Sequence, residues 1–225
     1  SPGYFGHIEL AMPVFYIQFM KRIKEVLQMT CFRCGTLLVS RDLKSAEIRN
    51  IMGIESGITR YARMMKLIKE DPAKVNNIHI CSACNARQPN KFTYVKDDLQ
   101  IIAEWTRGAK TNDSEDNSHP RVLMTPDYVQ MLFKRISDED SYLLGFNPKY
   151  SRPEWMICSV LPVCPPCVRP SVKQDGSQRQ EDDLTHKFID IIKCNTMLKQ
   201  KLEGLTTSAD GTLNSKMIES WRYIL

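Results

Sequence analysis

Residues 152–193 read RPEWMICSVLPVCPPCVRPSVKQDGSQRQEDDLTHKFIDIIK, and two different physical patterns meet inside them. Pro153, Pro162, Pro165, Pro166 and Pro170 each fix their own φ and push the preceding residue toward extended geometry. Trp155, Met156, Ile157, Val160, Leu161 and Val163 add apolar surface to bury. The first half therefore predicts a stiff extended strut that loses little entropy on ordering. The second half changes period. Leu184, Phe188, Ile191, Asn195, Leu198 and Leu202 recur at alternating spacings of four and three, the seam of a coiled-coil helix, with Asn195 a polar residue that commonly sets register or pairing. Ser177 with Gln180 fits a capping box, and Glu181, Asp182 and Asp183 place negative charge on the positive end of the helix dipole. After a turn expected over Gly204 to Thr212, Leu213, Met217, Trp221 and Ile224 can return antiparallel to the first helix. By pattern alone, this pair is equally a projecting hairpin or part of a helical core.

The strongest chemical signal lies upstream, in Cys31-Phe-Arg-Cys34 and Cys81-Ser-Ala-Cys84. Two such turns present the four thiolates that a tetrahedral zinc ion takes. Four cysteines close the shell, which makes the expected role structural and not catalytic. The stretch between the pairs is longer than in small zinc ribbons, so the metal would tie together the ends of an inserted subdomain. The competing readings are a redox pair and unrelated buried cysteines. Cys158, Cys164, Cys167 and Cys194 follow no recognised ligand pattern.

Pro13 fits the first turn of a helix, with Val14, Ile17, Ile23 and Leu27 on an apolar face that runs up to Cys31. Asp42 to Met52 and Ile58 to Lys69 read as short helices with Arg41, Arg49, Arg60 and Arg63 on their polar sides. KFTYVKDDLQIIAEWT predicts two antiparallel strands around a turn at Lys96-Asp97-Asp98. Gly108 to Pro120 is polar and aperiodic, a surface loop. Thr125-Pro126-Asp127 starts a helix, and Ser137 caps a second one that Gly145 ends.

The 225 residues are 42% hydrophobic and 25% charged, enough for one large or two small cores. A net charge of +5 permits contact with a polyanion without demonstrating it. Ile8 to Met20 is too short and too interrupted to cross a bilayer, so no membrane partner is expected. Phosphate-binding glycine loops and nucleophile elbows are missing from the sequence.

Taken in order, these motifs resemble the clamp region of the largest subunit of cellular DNA-directed RNA polymerases. There a segment of the form RPEWM…VLPVPPP.VRPS…SQR.EDDLT leads into a coiled coil, and the opening here, SPGYFGHIELAMPVF, is similar to the family's CPGHFGHIEL…PVF. The resemblance implies an α+β, mostly helical fold: a zinc-stabilised clamp head with a short β hairpin, then the proline-rich strut and an antiparallel coiled-coil hairpin. It implies structural Zn2+ on Cys31, Cys34, Cys81 and Cys84, and factor docking at the seam of Leu184, Phe188, Ile191, Asn195, Leu198 and Leu202. The implied partners are other polymerase subunits, DNA and the RNA–DNA hybrid, and initiation and elongation factors. The family's magnesium-binding aspartate cluster has no counterpart here, so nucleotidyl transfer and its Mg2+ are expected outside this chain. Ser1 and Tyr4 stand where the family has a cysteine and a histidine of a second zinc site, which is therefore not expected to form; His7 matches a histidine that is not a ligand.

The expected division is 1–106 for the zinc-binding head, 107–120 for the loop, 121–180 for core helices and strut, and 181–225 for the hairpin. The wording is nearest the second eukaryotic polymerase class and its large-virus relatives. That implies the nucleus, or a viral factory or virion. The alternative, a free-standing zinc-stabilised adaptor that binds a protein through its hairpin, shares the same residues.

Overall fold

The computed structural model describes residues 3–42, 44–70, 79–95, 99–105, 121–173 and 179–207. In chain order the elements are β1 (Gly6–Phe15), α1 (Met20–Met29), α2 (Ser45–Met52), α3 (Gly57–Lys69), β2 (Lys91–Val95), β3 (Gln100–Glu104), β4 (Arg121–Leu123), α4 (Pro126–Lys134), α5 (Asp138–Leu143), β5 (Ile157–Val163), β6 (Val172–Lys173), β7 (Arg179–Gln180) and α6 (Asp183–Thr207). The fold is α+β, with short antiparallel strands among helices. Contacts divide it into two units, Phe15–Ile157 and Ser1–Val14 with Cys158–Leu225.

In the first unit, Met20, Ile23, Val26 and Leu27 recur along one side of α1 and are buried, each side chain contributing roughly 1.5–3 kcal/mol. Thr30 ends the helix by turning its hydroxyl back to the Val26 carbonyl at 2.9 Å. α1 packs on β2. The expected hairpin is present as β2 and β3, with Phe92 opposite Ala103 and Tyr94 opposite Ile101 on the face toward the core. β4 adds a third antiparallel strand that its three residues do not announce in sequence. The turn expected at residues 96–98, and the loop at 108–120, lie outside the described residues.

α2, α3 and α5 pack mutually, so residues expected in separate head and core regions share one unit. A buried cation joins them. Arg60, expected on a polar face, is only 4% exposed. Its Nε donates to the Tyr142 carbonyl at 2.9 Å, Nη1 donates to the carbonyls of Ile54 and Glu55 at 2.6 and 2.7 Å, and the guanidinium lies 3.6 Å from the Tyr142 ring centre. Those acceptors offset its desolvation. Buried Asp140 pairs with Arg41, while Ser137 caps α5 by accepting from the Asp140 amide at 3.1 Å. Burial raises the Asp140 carboxyl above its ordinary value, against the pull of Arg41.

The described part of the second unit holds the β1–β5 pair, the small β6–β7 ladder and α6. Pro13 does not start a helix; it lies inside β1, and α1 begins at Met20 after a 3₁₀ turn at Ile17–Phe19. The reason is an edge. The Asn195 side chain accepts from the Ala11 amide at 2.7 Å and donates to the Glu9 carbonyl at 2.8 Å, so these groups face α6 and not β5. Residues two apart in a strand face the same edge, so the N–H that Pro13 lacks is also on that side and removes nothing from the ladder.

The proline-rich segment is not one continuous strut. It runs as a 3₁₀ turn at Pro153–Met156, then β5, then a second 3₁₀ turn at Pro166–Val168. The capping residue of α6 is Asp182, whose carboxylate accepts from the Leu184 amide at 3.0 Å; Gln180 belongs to β7 and Ser177 lies outside the described residues. α6 runs through Gly204 to Thr207, into the first positions of the turn expected over Gly204 to Thr212; the rest of that turn and the returning helix expected at 213–224 lie outside the described residues.

Two substitutions check these packings. Gly145, at φ +84°, follows α5, and a Cβ there would clash with the Gly57 carbonyl oxygen. Gly145→Ala should cost about 1–3 kcal/mol in denaturant unfolding. Asn195→Leu leaves a carbonyl and an amide of β1 unpaired; it should cost about 1–3 kcal/mol and speed hydrogen exchange at the Ala11 amide. Unchanged exchange there would contradict the edge role.

Candidate metal centre

Cys31, Cys34, Cys81 and Cys84 come from two turns that repeat the same backbone design. In the first, the Gly35 amide donates to the Cys31 carbonyl at 2.9 Å and the Cys31 amide to the Thr36 carbonyl at 2.8 Å. In the second, the Asn85 amide donates to the Cys81 carbonyl at 2.9 Å and the Cys81 amide to the Ala86 carbonyl at 3.0 Å. Gly35 (φ +81°) and Asn85 (φ +55°) occupy the left-handed conformation after the second cysteine of each pair, where glycine and asparagine are the least strained residues. Isolated bridges Thr30↔Leu37 and Ile80↔Arg87 close the two turns.

The turns face one another. Sγ of Cys31 is 3.6 Å from that of Cys84, Sγ of Cys34 is 3.6 Å from that of Cys81, and all four lie within 4.8 Å of one another. A tetrahedral thiolate shell at the zinc–sulfur distance of about 2.3 Å needs sulfur separations of about 3.8 Å. The four residues fit such a shell, and four soft ligands would fill it.

Side chains outside the two pairs hold the turns in place. Gln88, buried, accepts from the Phe32 amide at 3.0 Å through Oε1, while its Nε2 donates to Sγ of Cys31 at 3.1 Å and to the Ala86 carbonyl at 2.8 Å. One amide thus binds both turns and one ligand. Tyr128 and Arg135 fasten the first turn to α4, donating to the carbonyls of Phe32 at 2.6 Å and Arg33 at 2.9 Å. Trp105 meets the Phe32 ring edge-on at 5.3 Å and donates Nε1 to the Arg87 carbonyl at 3.1 Å. None of these four residues falls in a ligand spacing, so sequence reading missed them.

Burial pushes the Cys31 thiol up and the Cys81 thiol up to about 12. At Cys34 burial acts the same way, but hydrogen bonds with Thr36 and with the Cys31 and Cys81 thiols outweigh it and hold the group at about 7. Without metal, the cluster at neutral pH is therefore a mixture of thiol and thiolate. A bound cation drives all four to thiolate and releases protons.

The residues of the expected seam are spread along α6. Asn195 and Leu198 are buried, Phe188, Ile191 and Leu202 are half-buried, and Leu184 is exposed. Among the described helices, none is long and apolar enough to cross a membrane.

Gln88→Leu should weaken metal binding by about 10–100-fold in a chelator competition, since it removes a ligand's hydrogen bond and unties the turns. Wild-type affinity would deny Gln88 that role. The protonation pattern sets the pH dependence: affinity should fall as pH drops below about 12, where Cys81 holds a proton, and more steeply below about 7, where Cys34 holds one too.

A family model described as RNA polymerase Rpb1, domain 1, matches residues 1–216. The DNA-directed RNA polymerase subunit Rpo1N of Methanocaldococcus jannaschii is 35% identical over 204 residues, which cover 90% of this chain and 14% of that subunit. The chain thus spans a small part of the relative's length. A match of this extent, across both cysteine turns and into α6, decides the family: the chain belongs to RNA polymerase Rpb1, domain 1, the N-terminal part of the polymerase largest subunit.

Proposed function

We propose that this chain is the clamp portion of the largest subunit of a DNA-directed RNA polymerase, and that it retains DNA and the RNA–DNA hybrid during transcription without itself carrying the catalytic residues. The observation that carries the reading is the family match over residues 1–216, supported by the four converged cysteines. The metal is zinc in a structural role, because four thiolates leave no coordination position for a substrate or water. Magnesium for nucleotidyl transfer belongs to another part of the polymerase.

α6, with the seam of Leu184, Phe188, Ile191, Asn195, Leu198 and Leu202, is the docking element for initiation and elongation factors. The proline-rich segment braces its base. Other polymerase subunits complete the assembly, and its place is the nucleus, or a viral factory or virion for a viral enzyme. Contacts to nucleic acid run through phosphates and depend on salt.

Elongation complexes stalled on DNA and challenged with rising salt test this directly. Replacing Cys34 and Cys84 by serine in the whole polymerase should shorten complex lifetime by about ten-fold at a given salt concentration and shift dissociation to lower salt, while the rate of nucleotide addition by surviving complexes stays unchanged. Equal lifetimes for variant and wild type would refute the retention role.

A further inference from the structure

Outside the metal centre, Cys164-Pro-Pro-Cys167 repeats the spacing of Cys31/Cys34 and Cys81/Cys84, although sequence reading set these two cysteines aside. Neither is in a disulfide; Cys164 is half-buried and Cys167 is exposed. Cys158, by contrast, is buried with its Sγ 3.4 Å from the Val160 carbonyl oxygen.

The segment carrying the pair is anchored on several sides within its own unit. The Val168 amide donates to the Pro165 carbonyl at 3.1 Å and the Arg169 amide to the Pro166 carbonyl at 3.2 Å, closing the 3₁₀ turn that holds Cys167. Arg169 then donates Nε to the Cys164 carbonyl and Nη1 to the Thr185 hydroxyl of α6, both at 3.1 Å. Gly3, at φ +85°, lies against the two prolines, so close that a Cβ there would sit 3.3 Å from Pro165 Cβ and 3.4 Å from Pro166 Cδ. One exposed and one half-buried thiol therefore stand three residues apart on a braced segment, Cys167 within the turn and Cys164 just before it, which lowers the entropic cost of their holding one ligand.

We propose that Cys164 and Cys167 form a second thiolate site, for a soft divalent cation such as zinc. On binding, each thiol gives its proton to solvent and forms one metal–sulfur bond, and nothing is oxidised or reduced. Two sulfurs fill half of a tetrahedral shell. Among the described residues no third cysteine, histidine or carboxylate converges with them, so the remaining positions are open to water or to an outside donor, unlike those of the four-cysteine centre. Affinity is also lower than at that centre. There the Arg33 amide, two residues after Cys31, donates to its sulfur at 3.4 Å; the residue at that place after Cys164 is Pro166, which has no N–H to give.

Cadmium is the probe, titrated into the full polypeptide and followed by sulfur-to-metal charge-transfer absorption and a direct metal count. Wild type should take up one equivalent more than the Cys164→Ser/Cys167→Ser double variant, at an affinity at least about ten-fold below that of the four-cysteine centre. Cys167→Ser alone, at an exposed position, should lose the same equivalent. Equal uptake by wild type and the double variant, or retention of the extra equivalent by Cys167→Ser, overturns the proposal. Because the reading is a difference, failure at the four-cysteine centre lowers every variant alike and is distinguished from failure here.

Discussion

Four sulfurs within 4.8 Å of one another, drawn from turns that are far apart in sequence, are the constraint on which the larger unit depends. α2 and α3 lie between the two turns in the chain, so closing the cluster closes a loop that contains both helices. The turns in turn fix their surroundings. Tyr128 and Arg135 attach α4 to the first, Trp105 at the end of β3 bridges from the first to the residue after the second, and Gln88 joins the two directly. Cys31 and Cys81 are buried, and burial raises both thiols, so ionising them with no cation beside them is unfavourable. A divalent ion turns that cost into binding energy, which is how such centres contribute to folding.

Arginines do a second kind of joining. Among the described residues Arg60 has no acidic partner; backbone carbonyls and a tyrosine face satisfy it. Arg22 stacks on Tyr61 at 3.4 Å and donates to the Leu144 carbonyl at 2.9 Å, and burial lowers its pKa. Arg152 reaches Asp138, Glu154 and the Ile136 carbonyl. Each spans elements distant in sequence, and each planar fork meets acceptors that an ammonium group would satisfy less completely.

Much of this was legible from residues alone, for local reasons. The Cys-x-x-Cys spacing, the Thr125-Pro126 helix start, the Ser137 cap and the Gly145 stop are encoded within a few positions, and the structure has them. What could not be read depends on contacts distant in sequence. Pro13 looks like a helix start until Asn195, 184 residues on from Ala11, is seen to occupy the same edge of β1. Arg60 stands four residues before Met64 and eight before Ile68, on the buried face of α3, and its charge reads as polar surface until the carbonyls that surround it are seen. Gln88 belongs to no ligand pattern because its task is to hold a ligand, and Asp182 displaced the predicted capping box because β7 claims Gln180. The polymerase resemblance rested on long ordered motifs, and the family match covers the same ground.

X-ray absorption at the zinc edge of the purified chain reads the shell of the four cysteines. The spectrum should show one zinc surrounded by four sulfurs at about 2.3 Å from Cys31, Cys34, Cys81 and Cys84, with sulfur coordination lost when those residues are replaced. Nitrogen or oxygen donors in the shell, or a chain that stays fully folded with no metal, would contradict it.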